Sequence, residues 1–144
     1  MSLDGAYDTD NIFAKIVRGE IPAAKVMEDD HVIAFMNVFP QSPGHVLVIS
    51  KTAKARNLLD ITPADLGKVM AGVQSVAAAM RKALKPDGIA LHQFNGAAAG
   101  QTVFHLHFHL IPRWADTPVK SHGEGGMADP ADLKATAEQI AAAL

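Results

Sequence analysis

From Phe104 to Leu110 the chain alternates apolar residue and histidine without a break: Phe104-His105-Leu106-His107-Phe108-His109-Leu110. A period of two is the mark of a half-buried β-strand, because successive side chains leave opposite faces. The pattern predicts a strand over 103–111. Phe104, Leu106, Phe108 and Leu110 form its apolar face, and His105, His107 and His109 line the other, each about 6.5–7 Å from the next. Antiparallel sheets often carry a solvated polar face, but Thr, Lys or Glu would serve there. Three consecutive imidazoles point to chemistry.

Two chemistries fit such a face. His-X-His on a strand can chelate zinc or another transition metal, although the chain has no Cys and the nearest carboxylate downstream is Asp116. Alternatively, a neutral imidazole attacks phosphorus without a strong base, and neighbouring rings donate hydrogen bonds to the phosphoryl oxygens. The flank favours phosphate. Gly96-Ala97-Ala98-Ala99-Gly100 is a small-residue loop of the kind whose backbone amides approach an anion, and Asn95, Gln101 and Thr102 add side-chain donors.

Composition narrows the setting. The 144 residues suffice for one domain with its own core. Apolar residues make up 49% and charged residues 19%, the balance of a folded globule. A net charge of −2 argues against holding nucleic acid by bulk charge. No apolar run reaches the ~20 residues that span a bilayer, and the N-terminus lacks a basic and apolar leader. The expectation is a soluble, cytoplasmic protein with no membrane partner.

Elsewhere the chain reads as alternating helices and strands. Asp10 caps a helix over 11–18, with Ile12, Phe13, Ile16 and Val17 on one face and Gly19 as its stop. Strands follow over 24–27, 32–38 and 45–50, the first two joined at Glu28-Asp29-Asp30. Thr62 and Pro63 open the longest helix, with an apolar stripe from Leu66 to Leu84. A strand over 89–94 precedes the histidine segment. Residues 115–128 form a loop, and Asp129-Pro130 starts a C-terminal helix over 129–144 with Leu133, Ala137, Ile140 and Leu144 on one face. Residues 1–10 are expected to fray. The order lacks a βαβ alternation, so the class is α+β with a mostly antiparallel five-stranded sheet, as one domain over 1–144.

Gly100-Gln101-Thr102-Val103-Phe104-His105-Leu106-His107-Phe108-His109-Leu110 resembles the His-φ-His-φ-His-φ-φ signature of the histidine triad (HIT) family, φ being apolar. Similarity extends to Ile12-Phe13-Ala14-Lys15-Ile16, to Ile21-Pro22 through Val32, and to Pro43-Gly44-His45-Val46-Leu47-Val48-Ile49. The resemblance implies a homodimer whose two sheets join, and cleavage of purine nucleotide conjugates at the α-phosphate to an AMP-type product, with no cofactor. It implies His107 as nucleophile, His109 as α-phosphate ligand, and His45 and His105 as a relay orienting the nucleophile's other nitrogen. Asn95, Gln101, Thr102 and Val103 are implied around the phosphate. Ile12, Phe13, Ile16, Phe35 and Leu47 are implied around the base, although Ile16 and Leu47 suit plain core equally well.

Two departures matter. Asn37 stands where many members place an Asp that accepts from both ribose hydroxyls, whereas an amide offers one acceptor oxygen. The fragile-histidine-triad branch of dinucleoside polyphosphate hydrolases also uses Asn, so the residue leaves phosphoramidase and polyphosphate hydrolase both open. Asn11, Ala14 and Ala53 occupy positions where bacterial relatives often hold a structural zinc, so no metal is expected there. A metal-binding protein using the three histidines, and a nucleotide-binding module without turnover, remain as alternatives.

Overall fold

Helix starts fall where a side chain takes an otherwise orphaned amide. In the computed structural model, which describes residues 3–121 and 123–144, Asn11 Oδ1 accepts from Ala14 N at 2.9 Å and opens α1 (Ile12–Val17). The cap is therefore Asn11 and not Asp10, whose own amide donates to Asp8 Oδ1. Thr62 caps α2 (Pro63–Leu84) through Asp65 N, and Asp129 caps α3 (Pro130–Ala141) through Ala131 N. Pro stands at the first helical position of both, where a missing N–H does no harm.

The strands are β1 (Lys25–Glu28), β2 (Val32–Met36), β3 (Val46–Ser50), β4 (Gly88–His92) and β5 (His107–Arg113). They form one sheet in the order β1-β2-β3-β5-β4, with every neighbour antiparallel. The fold is thus α+β, with helices on both faces. Strand alternation decides what each face meets. Val32, Ala34, Met36, Val46, Val48, Phe108 and Leu110 pack against α2 and α3. Ile33, Phe35, Leu47 and Ile49 face the other way, onto Phe13 and Ile16 of α1. Leu144, expected on the buried face of the last helix, lies beyond α3 and is exposed.

The histidine strand starts later than its pattern predicts. Ser50, the last residue of β3, gives its carbonyl to the His105 ring at 3.1 Å, so a side chain takes the place of the next ladder bond. The backbone bends over 103–105, and the pairing with β3 ends at Ile49 and His107. His105 is consequently not a member of β5. Phe104 leaves the apolar face and lies under the Arg56 guanidinium, 5.0 Å from its ring centre.

Of the segment expected to fray, residues 1–2 lie outside the described residues, and residues 3–10 are irregular but anchored. Asn57 Nδ2 donates to Leu3 O at 2.9 Å, and the Tyr7 hydroxyl meets Nδ1 of His105 at 2.6 Å. Residue 122 of the 115–128 loop is likewise outside the described residues. The loop is irregular, and Lys120 N and Ala128 N tie it to Gln41 O and Val38 O. Among the described residues no helix is long and apolar enough to cross a membrane.

Candidate active site

On the α1 face of the sheet lies a cavity of about 400 Å³, within the range of small-ligand sites. α1 supplies Ile12, Phe13 and Ile16. The end of β2 and the turn after it supply Phe35, Asn37, Val38 and Phe39. Leu47 comes from β3, Thr102 and Val103 from the bend, and His107 and His109 from β5. No Asp, Glu, Lys or Arg lines it among the described residues. Most of the lining is aliphatic and aromatic carbon, suited to a flat heterocycle, and the two imidazoles come from β5.

The hydrogen-bond partners dictate each ring's tautomer, because a carbonyl only accepts and a backbone amide only donates. His107 donates from Nδ1 to the His105 carbonyl at 2.7 Å, which leaves the ring's lone pair on Nε2. Gln41 N donates to Nδ1 of His45 at 3.1 Å, so the His45 proton is on Nε2. That proton goes to Nδ1 of His109 at 2.9 Å, and His109 then carries its own proton on Nε2. The site thus pairs a basic nitrogen on His107 with a donating nitrogen on His109, the ring centres 4.9 Å apart. This is closer than bare strand spacing, because the rings lean together. Phe13 stands edge-on to His107 at 4.9 Å, and Phe94 flanks His109 at 5.6 Å.

His105 has a different place. Its Nε2–H donates to Ser50 O, so Nδ1 accepts from the Tyr7 hydroxyl. Burial pushes its pKa down to about 4; the Ser50 bond opposes this and the nearby His107 adds to it. His105 is therefore a neutral, fixed ring. The relay expected from His45 and His105 takes another form. The group holding the second nitrogen of His107 is the His105 backbone carbonyl, and His45 orients His109.

The remaining expected residues divide. Ile12, Phe13, Ile16, Phe35, Asn37, Leu47, Thr102 and Val103 meet at the cavity, and Ile16 and Leu47 also belong to the core cluster on that face. Asn95 does not line it, since its Oδ1 accepts from Leu58 N and Gln93 Nε2. Gln101 does not either. It is a buried strut, accepting from Gly96 N at 2.8 Å and donating to Arg56 O and Val103 O at 2.7 and 3.0 Å. The loop itself closes as a 3₁₀ turn (Ala97–Ala99), with Gly96 and Gly100 at φ +86° and +105°. The amides of Gly96, Ala99, Gly100 and Gln101 are consumed inside it, so these four do not form the anion nest expected of the loop.

Asn37 accepts from Phe39 N at 2.9 Å. Its Nδ2 is 3.4 Å from His45 Nε2, but both atoms are donors in the tautomer above, so this is a contact and not a bond. The lining also includes Ile21, Pro22, Ala23, Met36, Val38 and Phe39, which sequence reasoning missed. A signal existed for Val38 and Phe39, two large apolar residues beside a Pro-bounded turn. With Ile12 they are 40–47% exposed and rim the mouth, as apolar surface at binding sites often does. Gln41 and Tyr7 carried no signal, because Gln41 acts through its backbone amide, which any residue but proline has, and Tyr7 through a partner 98 residues away.

Residues 18–116 match the HIT domain family. Over 137 residues the chain is 39% identical to "Protein hit" of Bacillus subtilis, covering 90% of this chain and 91% of that one. It is 37% identical over 119 residues to "Adenylylsulfatase HINT3" of Arabidopsis thaliana, covering 78% of this chain and 60% of that protein. Among solved structures, a Hit-like protein involved in cell-cycle regulation from Bartonella henselae superposes with a TM-score of 0.91 at 48% identity, covering 97% of this chain and all of that one.

Proposed function

This chain belongs to the histidine triad family, and on that premise we propose that it cleaves purine nucleoside phosphoramidates or similar conjugates at the α-phosphate through a nucleotidyl-His107 intermediate. The coarser activity, nucleotide hydrolase or transferase, is that of its family. The observation that carries the finer reading is the Nδ1–H bond from His107 to the His105 carbonyl at 2.7 Å, in the wall of a nucleotide-sized cavity.

In this mechanism the lone pair of His107 Nε2 forms an N–P bond as the bond to the leaving group breaks. The leaving group departs with the electron pair and takes a proton from solvent. The ring turns cationic during attack, so its bond to the His105 carbonyl becomes charge-assisted only as the reaction proceeds. His109 donates from Nε2 to a non-bridging oxygen, where negative charge gathers. Water then attacks phosphorus as the N–P bond breaks and its pair returns to Nε2; the water's proton passes to solvent, leaving nucleoside monophosphate and neutral His107. The aliphatic wall takes the base, and Asn37 takes the ribose.

The absence of Lys and Arg from the described lining favours a singly charged α-phosphate over a polyphosphate. Asn37 keeps the dinucleoside polyphosphate reading in play as the second candidate. A shared metal on the three histidines meets a geometric obstacle. Both nitrogens of His105 and Nδ1 of His107 and His109 are committed to other bonds. We also propose a homodimer, supported by the open edge of β4 with Leu91 48% exposed.

The test is turnover of adenosine 5′-phosphoramidate, adenylyl sulfate and diadenosine polyphosphates, each with and without chelator. Chelator-resistant release of AMP, fastest from the phosphoramidate, supports the reading. Turnover abolished by chelator, or AMP binding without turnover of any of the three, contradicts it.

A further inference from the structure

We infer that Tyr7 is a positioning residue for the histidine segment: its hydroxyl fixes the His105 ring, and the His105 carbonyl in turn seats His107. The consequence for catalysis rests on His107 being the nucleophile; the effect on the His105 ring does not.

The geometry is a clamp. His105 is 4% exposed and is held at opposite ring edges, by Ser50 O on Nε2 at 3.1 Å and by the Tyr7 hydroxyl on Nδ1 at 2.6 Å. The Tyr7 and His105 rings meet edge to face at 5.8 Å. With Nε2–H committed to a carbonyl, Nδ1 must accept, and Tyr7 supplies the donor. Without it, a buried basic nitrogen beside Phe13 would lose its bond. The ring would then gain a proton more readily or turn. Either change moves the residue whose carbonyl holds His107 at 2.7 Å.

Tyr7 is held in turn by the strap that carries it. Asn57 donates to Leu3 O, and the Leu3 side chain lies against Gly96, at the start of the 3₁₀ turn. Gly5, at φ +154°, crosses so close to the Arg56 guanidinium that a Cβ there would collide with it. Arg56 itself lies over Phe104, and its carbonyl accepts from Gln101. The strap therefore touches both the loop before the histidine segment and its first histidine.

The titratable and charged groups facing His105 come from every side. Tyr7 belongs to the strap, Arg18 to the C-cap of α1, Lys51 and Lys54 to the chain after β3, and His107 to β5. The crevice that Tyr7, Arg18, Lys51 and Lys54 share with His105, about 270 Å³, has no carboxylate in its lining among the described residues. The Arg18, Lys51 and Lys54 cations disfavour an imidazolium, and the Tyr7 hydroxyl is the donor to the neutral ring's Nδ1, so its removal takes stabilisation from the neutral form alone.

The experiment is Tyr7→Phe, which keeps the ring and deletes the donor. Ring ¹⁵N spectra of His105 across pH 4–8 report tautomer and charge, and kinetics on adenosine 5′-phosphoramidate report the consequence. In the wild type the ring should stay neutral with its proton on Nε2 down to about pH 5, and the Tyr7 hydroxyl proton should be shielded from exchange. In Tyr7→Phe the ring should protonate at higher pH, with kcat falling about tenfold and KM within about twofold, as for loss of a supporting hydrogen bond around a reactive imidazole. An unchanged His105 spectrum in Tyr7→Phe overturns the inference, whatever happens to kcat. An altered spectrum with unchanged kcat and pH profile overturns the positioning role. If wild type turned over none of the nucleotides, the proposed function would fall, and the nitrogen spectra would still decide whether Tyr7 sets the ring.

Discussion

Acidification should destabilise this protein through His105 in a defined window. The folded ring has its pKa pushed from 6.5 to about 4 by burial, while in the unfolded chain it protonates near its ordinary value. Between those two values the unfolded state binds a proton that the native state refuses, so stability rises with pH there. The contribution is fully present above pH 6.5 and is lost as pH falls toward 4. At about 1.4 kcal/mol per pH unit, the window is worth about 3 kcal/mol. His105 is buried, so solvent screening removes little of this. The assay is urea unfolding at half-unit steps from pH 7.5 to 4, on wild type and on His105→Gln. The variant starts less stable because it loses the fit between Ser50 O and Tyr7, but its pH dependence should be shallower by about 3 kcal/mol over the window. Equal slopes in the two proteins would refute the reasoning, because the proton uptake would then belong to other groups.

Three substitutions probe the rest of the site. His45→Phe removes the donor to His109 Nδ1, and steady-state kinetics should show kcat lowered about 10–100-fold with AMP affinity little changed. Asn37→Ala should weaken AMP binding by about 1–3 kcal/mol by calorimetry, whereas Asn37→Asp, which can still accept from Phe39 N, should keep or improve it; unchanged affinity in Asn37→Ala would remove Asn37 from the ribose. Gln101→Ala should lower unfolding free energy by about 2–4 kcal/mol, since three hydrogen bonds, two of them buried, go at once, yet leave AMP affinity in the folded protein nearly unchanged; a stable variant with weak AMP binding would return Gln101 to the phosphate.

What the sequence made legible follows from how local each signal is. The caps at Thr62 and Asp129, the apolar stripe of α2 and the short apolar runs of β2 and β3 act within a few residues, and the elements formed near their expected bounds. The imidazole pattern located His107 and His109 for the same reason. It overran at His105 because a bond to Ser50, 55 residues away, competes with the ladder. Asn95 and Gln101 looked like phosphate donors because their side chains can donate, but Leu58 N holds the Asn95 amide through its oxygen, away from the cavity, and Arg56 O takes the Gln101 donor. Tyr7 was invisible as a site residue because the fold brings its histidine from 98 residues away, and Gln41 because it acts through a backbone amide, which its side-chain identity does not reveal.

The central claim is that His107 is a covalent nucleophile, and the direct measurement is mass spectrometry of the protein after rapid, acid-free quench during turnover of adenosine 5′-phosphoramidate. Parallel kinetics on His107→Asn keep a hydrogen-bond donor while deleting the basic nitrogen. The account predicts an adenylyl mass on the peptide containing His107 in wild type. It also predicts loss of kcat by several orders of magnitude in the variant, which still binds nucleotide. Loss of a single electrostatic donor would instead lower kcat by roughly 10²–10³-fold. No adduct in the wild type, together with a loss in His107→Asn no larger than that, would contradict the mechanism and leave water as the attacking group.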